Sequence, residues 1–236
     1  MAVAFDAVGT ATDTPSATSP VSFTTLTVGS GTNRALVVQL AWLAAAPAGL
    51  TVKWDTAGTP QSLTLIKSQV GVNGQNVQLW GLVAPTSGNK TLQVAWSSGG
   101  PEVMIQATSW TGVDQTGGVT TFPNSTAATG NNATATVNVT SAVGNAVMAC
   151  CVAGTLKAIS SVNNTQSYLL HGSGNIESGG NRAAGAASVT MSGTFAGTDQ
   201  WAIVGTDILA FATVGDTQEW RGSYPTPRLA FGNVGY

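Results

Sequence analysis

The sequence predicts an all-β protein: an antiparallel β-sandwich of jelly-roll-like type, built from two related halves and followed by an extended C-terminal arm. Three observations carry this. Apolar residues alternate with period two in short runs bounded by Gly, Asn and Pro. No window shows the 3.6-residue periodicity of a capped helix. The strand pattern is also written twice. Residues 21–42 (VSFTTLTVGSGTNRALVVQLAW) reappear in outline at 134–154 (TATVNVTSAVGNAVMACCVAG), each an alternating strand, a Gly/Asn turn and a second apolar strand. Residues 92–110 (LQVAWSSGGPEVMIQATSW) are echoed by 189–209 (VTMSGTFAGTDQWAIVGTDIL). Val147 lies 111 positions after Leu36 and Phe195 lies 99 after Trp96, so the second copy has lost some loop. A period of about 100 residues is too long for a solenoid and suits two matching halves of one β-structure.

Taken in order, the first strong strand is 34–42. Leu36, Val38, Leu40 and Trp42 share one face there, and Ala35, Val37, Gln39 and Ala41 share the other. Residues 63–70 and 77–83 read as strands joined through Asn73-Gly74, a strong hairpin signal. Residues 91–96 and 103–110 read as a further hairpin around 97–101. In the second half, 135–140, 146–153, 187–192 and 201–211 have the same character. Each half alone would leave an apolar sheet face open. The expectation is therefore one β-sandwich domain over 1–212, with halves of about 21–113 and 134–211 joined near 114–133. Leu36, Val38, Leu40, Val147, Ala149, Ile203 and Leu209 are expected in its core.

Of the seven Trp, Trp42, Trp80, Trp96, Trp110 and Trp201 fall on or beside strands and are assigned to core or rim packing. Trp54, in TVKWDTAGTP, is the candidate for an exposed contact. After residue 212 the text changes. Residues 213–236 (TVGDTQEWRGSYPTPRLAFGNVGY) lose the alternation, and Pro225 and Pro227 exclude a central strand. The aromatics are too many for a solvated linker. An arm lying across another surface satisfies both facts, and a tail covering its own domain is the competing reading. Trp220, Arg221, Tyr224, Arg228, Phe231 and Tyr236 are the candidate partner-binding residues, being of the types that dominate interface energies.

Charged residues make up 8% of the chain, against about 25% in ordinary soluble proteins. A net charge of −2 gives little repulsion between copies and suits a protein packed among neighbours. The eight Lys and Arg are scattered singly, so no nucleic-acid partner is expected. Residues 1–20 have neither the basic nor the apolar region of a secretory signal. No run reaches the ~18 apolar residues that cross a bilayer, so no membrane association is expected.

The two cysteines, Cys150 and Cys151, are adjacent on a strand, where side chains point to opposite faces. Their Cα atoms, about 3.8 Å apart, are closer than a disulfide ordinarily allows, and both read as small apolar fillers. The single His171 lies in LLHGSGNIESGG with no G-x-S-x-G serine to serve, and reads as a loop histidine. One His and two adjacent Cys do not make a zinc site. Glu102, Glu177 and Glu219 are scattered beside turns or in the tail, which does not suit a glycosidase pair. No catalytic residue, metal site or cofactor is expected.

The order NRALVVQLAW, LWGLVAPTSGNKTLQVAW, TGVDQTG and DQWAIVGTDILAF resembles a group of β-sandwich domains of bacteriophage and bacterial proteins, over about residues 33–211. The resemblance implies a jelly-roll-like sandwich used in virion or surface structures, and it transfers no catalytic residue. With the low charge and the aromatic arm, it leads to the expectation of a phage virion protein. Such a protein would decorate or cement a capsid, bind the major capsid protein or another virion protein, and self-associate as a trimer or, second, a dimer. The alternative is a carbohydrate- or receptor-binding module of a phage tail, fibre or bacterial surface protein.

Overall fold

The computed structural model describes residues 1–15, 18–24, 26–43, 47–97, 102–154, 157–172 and 176–212. Its centre is β5 (Ala35–Trp42), buried at every position. One face, Leu36, Val38, Leu40 and Trp42, packs into an outer core with Val52, Trp54, Leu92, Val94, Trp96 and Ile105. The other face, Ala35, Val37 and Ala41, packs into a second, central core. The period-two split of this strand is therefore real, and both of its faces are covered.

The first half of the chain wraps into four nested antiparallel pairs. β1 (Ala4–Val8) pairs with β12 (Val103–Thr111), and β3 (Val21–Phe23) with β11 (Leu92–Ala95). Inside these, β5 pairs with β9 (Asn76–Val83), and β6 (Thr51–Trp54) with β7 (Gln61–Ser62). Nested pairs alternating between two facing sheets are the double Greek key of a jelly roll. One sheet runs β1-β12-β5-β9-β8, with β8 (Thr64–Val70) at its edge and β2 (Thr12–Thr14) also on β12; the other runs β3-β11-β6-β7. A short ladder joins β4 (Thr27–Val28) to β10 (Gly88–Asn89). The 71–75 turn forms the expected hairpin, with Gly74 at φ 79°.

The 91–96 and 103–110 strands do not form the expected hairpin. β11 and β12 lie in opposite sheets. Both present apolar residues inward, Leu92 and Val94 from one side and Val103 and Ile105 from the other, so they meet through side chains across the core. Residues 1–14, not read as strands from sequence, supply β1 and β2.

The second half repeats the plan with fewer, longer strands. Its main sheet runs β13-β18-β14-β17-β16, where β13 is Thr126–Val139, β14 Ala146–Ala153, β16 Thr165–His171, β17 Glu177–Ala184 and β18 Val189–Ile208. Position by position this is the order β1-β12-β5-β9-β8. β13 and β18 shift register between Asn132 and Thr134, and their far ends, with β15 (Ile159–Val162), face the main sheet as a second layer. Val147, Ala149, Cys151, Phe195 and Ile203 fill the core between.

Local irregularities repeat too. β8 shifts register between Leu65 and Lys67, opposite Trp80 and Leu79; β16 does so between Gln166 and Tyr168, opposite Asn181 and Gly180. Those partners pair in turn with Val38 and Ala149, which are 111 positions apart. Such bulges are sheet features rather than defects.

The described residues thus form an antiparallel β-sandwich fold of two related halves, each with its own core, packed back to back. The central core between them joins Ala35, Val37, Leu79, Met104 and Trp110 of the first to Met148, Cys150, Val152, Ala202 and Val204 of the second. Gln39 Nε2 donates to Gln106 Oε1 at 3.1 Å inside this seam. α1 (Gly118–Thr121), between the halves, delivers Phe122, which is 1% exposed, against Gly81 and Ile66. Six of the seven expected core residues are buried. Leu209 is the exception, half-buried because it lies past the end of β18, where its backbone bonds to Thr121 and Asp114.

Candidate functional site

Trp54 is not an exposed contact. It is the last residue of β6, where alternation turns Val52 and Trp54 inward and Lys53 outward, and it is 0% exposed. Its Nε1 donates to the Thr86 carbonyl at 2.9 Å. The surface begins one residue later. Asp55, at φ 56°, turns the chain, and its carboxylate accepts from Thr86 Oγ1 at 3.0 Å and pairs with Lys90 Nζ at 3.5 Å. Together with Thr24, Gly58, Asn89 and Thr91 they line an open polar pocket of about 260 Å³. Its donors and acceptors suit hydroxyl groups, but no aromatic ring lines it.

A second concavity, of about 220 Å³, opens at the seam between the two sandwiches. Val3, Phe5 and Trp110 come from the first, and Asn145, Thr165, Arg182 and Ala184 from the second. The Arg182 guanidinium lies 3.7 Å from the Phe5 ring centroid, a cation–π arrangement. Phe5 and Trp110 meet edge to face, with centroids 5.6 Å apart and planes at 83°. Partial burial lowers the Arg182 pKa, and its Nη1 reaches Gln166 O at 3.3 Å and Ser167 Oγ at 3.4 Å. Sequence reasoning missed this groove because its walls come from residues far apart in the chain. The short alternation of AFDAV was the one available sign of β1.

The remaining reactive side chains are paired internally. His171 ends β16, and its Nδ1 meets the buried Glu177 carboxylate, which also accepts from Ile159 N at 3.2 Å. It is a strand-end residue rather than a loop one. Cys150 and Cys151 do point to opposite cores. Cys150 Sγ sits 3.1 Å from Tyr168 Oη, which is 2.7 Å from Ser178 Oγ. Burial pushes the Cys150 thiol up to about 11 and moves Cys151 and Tyr168 upward as well. A thiol held neutral in this way is a poor nucleophile and metal ligand.

Asp207 accepts from Ser141 Oγ at 2.6 Å and Asn145 Nδ2 at 2.9 Å, while burial raises its pKa against those hydrogen bonds. Among the described residues, no group of three or more His, Cys, Asp or Glu is placed to hold a metal ion. No described helix is long and apolar enough to cross a membrane.

Trp220, Arg221, Tyr224, Arg228, Phe231 and Tyr236, the candidate arm residues, lie outside the described residues. No protein-family model and no curated protein sequence matches the chain.

Proposed function

We propose that this is a structural protein of a bacteriophage particle, one that decorates or cements the capsid. In this reading it associates with copies of itself and docks on the major capsid protein through residues 213–236. The observation that carries the reading is the pair of jelly rolls sharing one central core. Jelly rolls serve as capsid and lectin building blocks, and two fused through a large apolar seam make a stiff block for a lattice. The low charge content supports the same reading, because few charges need to be desolvated when neighbours pack.

A second reading, a glycan- or receptor-binding module of a tail or fibre, is favoured by the polar pocket around Asp55 and Lys90. Co-sedimentation with particles assembled without the protein separates the two. The capsid reading expects saturable binding by the full chain and its loss when residues 216–236 are removed. Failure of the full chain to bind particles, together with glycan binding abolished by Asp55→Ala, would replace it with the second reading. Sedimentation velocity at micromolar concentration is expected to show a trimer, or failing that a dimer; a monomer at all concentrations would remove self-association.

A further inference from the structure

The two halves treat their sheet edges differently. An open edge invites another strand, and proteins block it with charge, short length or groups that occupy its backbone. In the first half, β1 carries Asp6, β2 Asp13 and β8 Lys67. β3, β4, β7 and β10 have only two or three residues each. In the second half, β15 has four residues, and on β16 the Gln166 carbonyl is taken by Arg182 Nη1 at 3.3 Å. β13 has none of these guards: it runs for 14 residues, TAATGNNATATVNV, without a charge or a proline. It ends its sheet, and among the described residues no strand but β18 pairs with it.

Past the register shift, residues 134–139 alternate cleanly. Ala135, Val137 and Val139 enter the core of the second half, while Thr134, Thr136 and Asn138 are exposed. The direction of their backbone follows from β18. Asn163 N donates to Ser192 O at 3.0 Å, Ser192 N donates to Asn163 Oδ1 at 2.8 Å, and Asn163 Nδ2 donates to Thr190 O at 2.7 Å. Ser192 and Thr190 thus turn their backbone groups away from β13. Their ladder partners there are Thr136 and Asn138. Opposed residues of an antiparallel pair either exchange both bonds or turn both away, so Thr136 and Asn138 hold N–H and C=O toward the open side. Thr134 N faces the same way and is capped by Asn132 Oδ1 at 2.8 Å. In the first half this place, against β11, is held by the three residues of β3.

We propose that the 134–139 edge pairs, antiparallel and about a two-fold axis, with the same segment of a second copy of this chain. A copy fits because an uncharged edge meets itself without repulsion, whereas two β8 edges would bring Lys67 toward Lys67. Centred on Thr136, the pairing sets Thr136 opposite the partner's Thr136, Thr134 opposite the partner's Asn138 and Ala135 opposite the partner's Val137. Thr–Thr pairs across strands are favourable, and the apolar positions stay on the core face. The outer layer β15-β18-β13 then continues into that of the copy. A closed contact of this kind makes a dimer. The inference rests on the self-association in the reading above and selects its dimer.

The test is Thr136→Cys in the full-length protein, oxidised at micromolar concentration. Paired residues with Cα atoms about 5.5 Å apart lie within disulfide reach, and Cys150 and Cys151 are buried and stay silent. The expected result is a disulfide-linked dimer that forms at least tenfold faster than from Val143→Cys, a position 93% exposed in the turn past β13. Thr136→Lys is expected to weaken the dimer at least tenfold in sedimentation equilibrium, with circular dichroism and urea midpoint unchanged, and Thr136→Ser to keep it. If the lysine disturbs the fold, the cysteine comparison decides alone. Cross-linking no faster than the control overturns the proposal. An oligomer that survives Thr136→Lys overturns it while self-association stands, and a parent chain monomeric at all concentrations overturns both. Loss of particle binding with the dimer intact sinks only the capsid reading.

Discussion

Ser109 and Asp207 stand at the same point of the two jelly rolls, opposite Leu36 and Val147, and their hydrogen bonds run in opposite directions. Ser109 Oγ donates to the Asp6 carboxylate at 2.6 Å, whereas the Asp207 carboxylate accepts from Ser141 Oγ at 2.6 Å. Asp6 also accepts from Gly29 N at 2.8 Å, and Asp207 from Asn145 Nδ2 at 2.9 Å. Each network ties the last long strand to the turn that precedes the central strand. The function of the tie is kept while the carboxylate has moved to the other partner, and with it the electrostatic consequence.

For Asp207 that consequence is a pH dependence of stability. Burial raises the Asp207 pKa above the ordinary 3.8, its hydrogen bonds only partly offsetting the effect. As pH rises through the interval between the unfolded and folded values, the unfolded chain loses its proton first. Folding stability therefore falls across that interval. Asp207→Asn is expected to remove this fall: plotted against pH from 3 to 7, the difference in unfolding free energy between variant and parent should shift in the variant's favour. A difference that does not change with pH would exclude Asp207 as its source.

The central core predicts one cooperative unit. Leu36→Ala in the first roll and Ile203→Ala in the second, both essentially fully buried, are each expected to cost about 2–5 kcal/mol. Urea unfolding followed by tryptophan fluorescence and by circular dichroism should give coincident single transitions with an unchanged slope. Two separated transitions in either variant would show that the rolls unfold independently.

Gly81 is required by Phe122. Gly81→Ala puts a Cβ into the ring and the Ile66 side chain, and is expected to destabilise by about 1–3 kcal/mol. Phe122→Ala is expected to cost about 3–5 kcal/mol by leaving a cavity. In the double variant the penalties should not add, because the ring that the new methyl opposes is gone. Simple additivity in thermal or urea unfolding would refute the contact.

Cys150 and Cys151 are expected to be silent toward an aromatic disulfide reagent at pH 8 in the native protein, and both to react once it is unfolded. Burial that raises the Cys150 thiol to about 11 leaves little thiolate at that pH. Rapid labelling of one thiol under native conditions would contradict the packing seen around Tyr168 and Ser178.

Of the fold, the sequence by itself determined the central strands of each half, their two faces and the existence of two copies, but not β1, β2, β6 or β15–β17. Period-two alternation is a local property: it told which of Leu36 and Val37 looks which way, and it put Cys150 and Cys151 on opposite faces. The repeat could be read because equivalent strands carry the same pattern at a fixed offset. What alternation leaves open is the partner of each face, since any apolar face satisfies any other. Only the tertiary structure decided that β11 and β12 meet across a core instead of pairing, and that the face of Ala35, Val37 and Ala41 covers a second sandwich. Trp54 was misplaced for a related reason. A tryptophan beside Asp-Thr-Ala-Gly looks like loop, yet the strand runs one residue further and the Thr86 carbonyl satisfies its indole. The seam groove had no local signature at all, because Phe5, Trp110 and Arg182 are brought together by long-range sheet packing that no short window of sequence encodes.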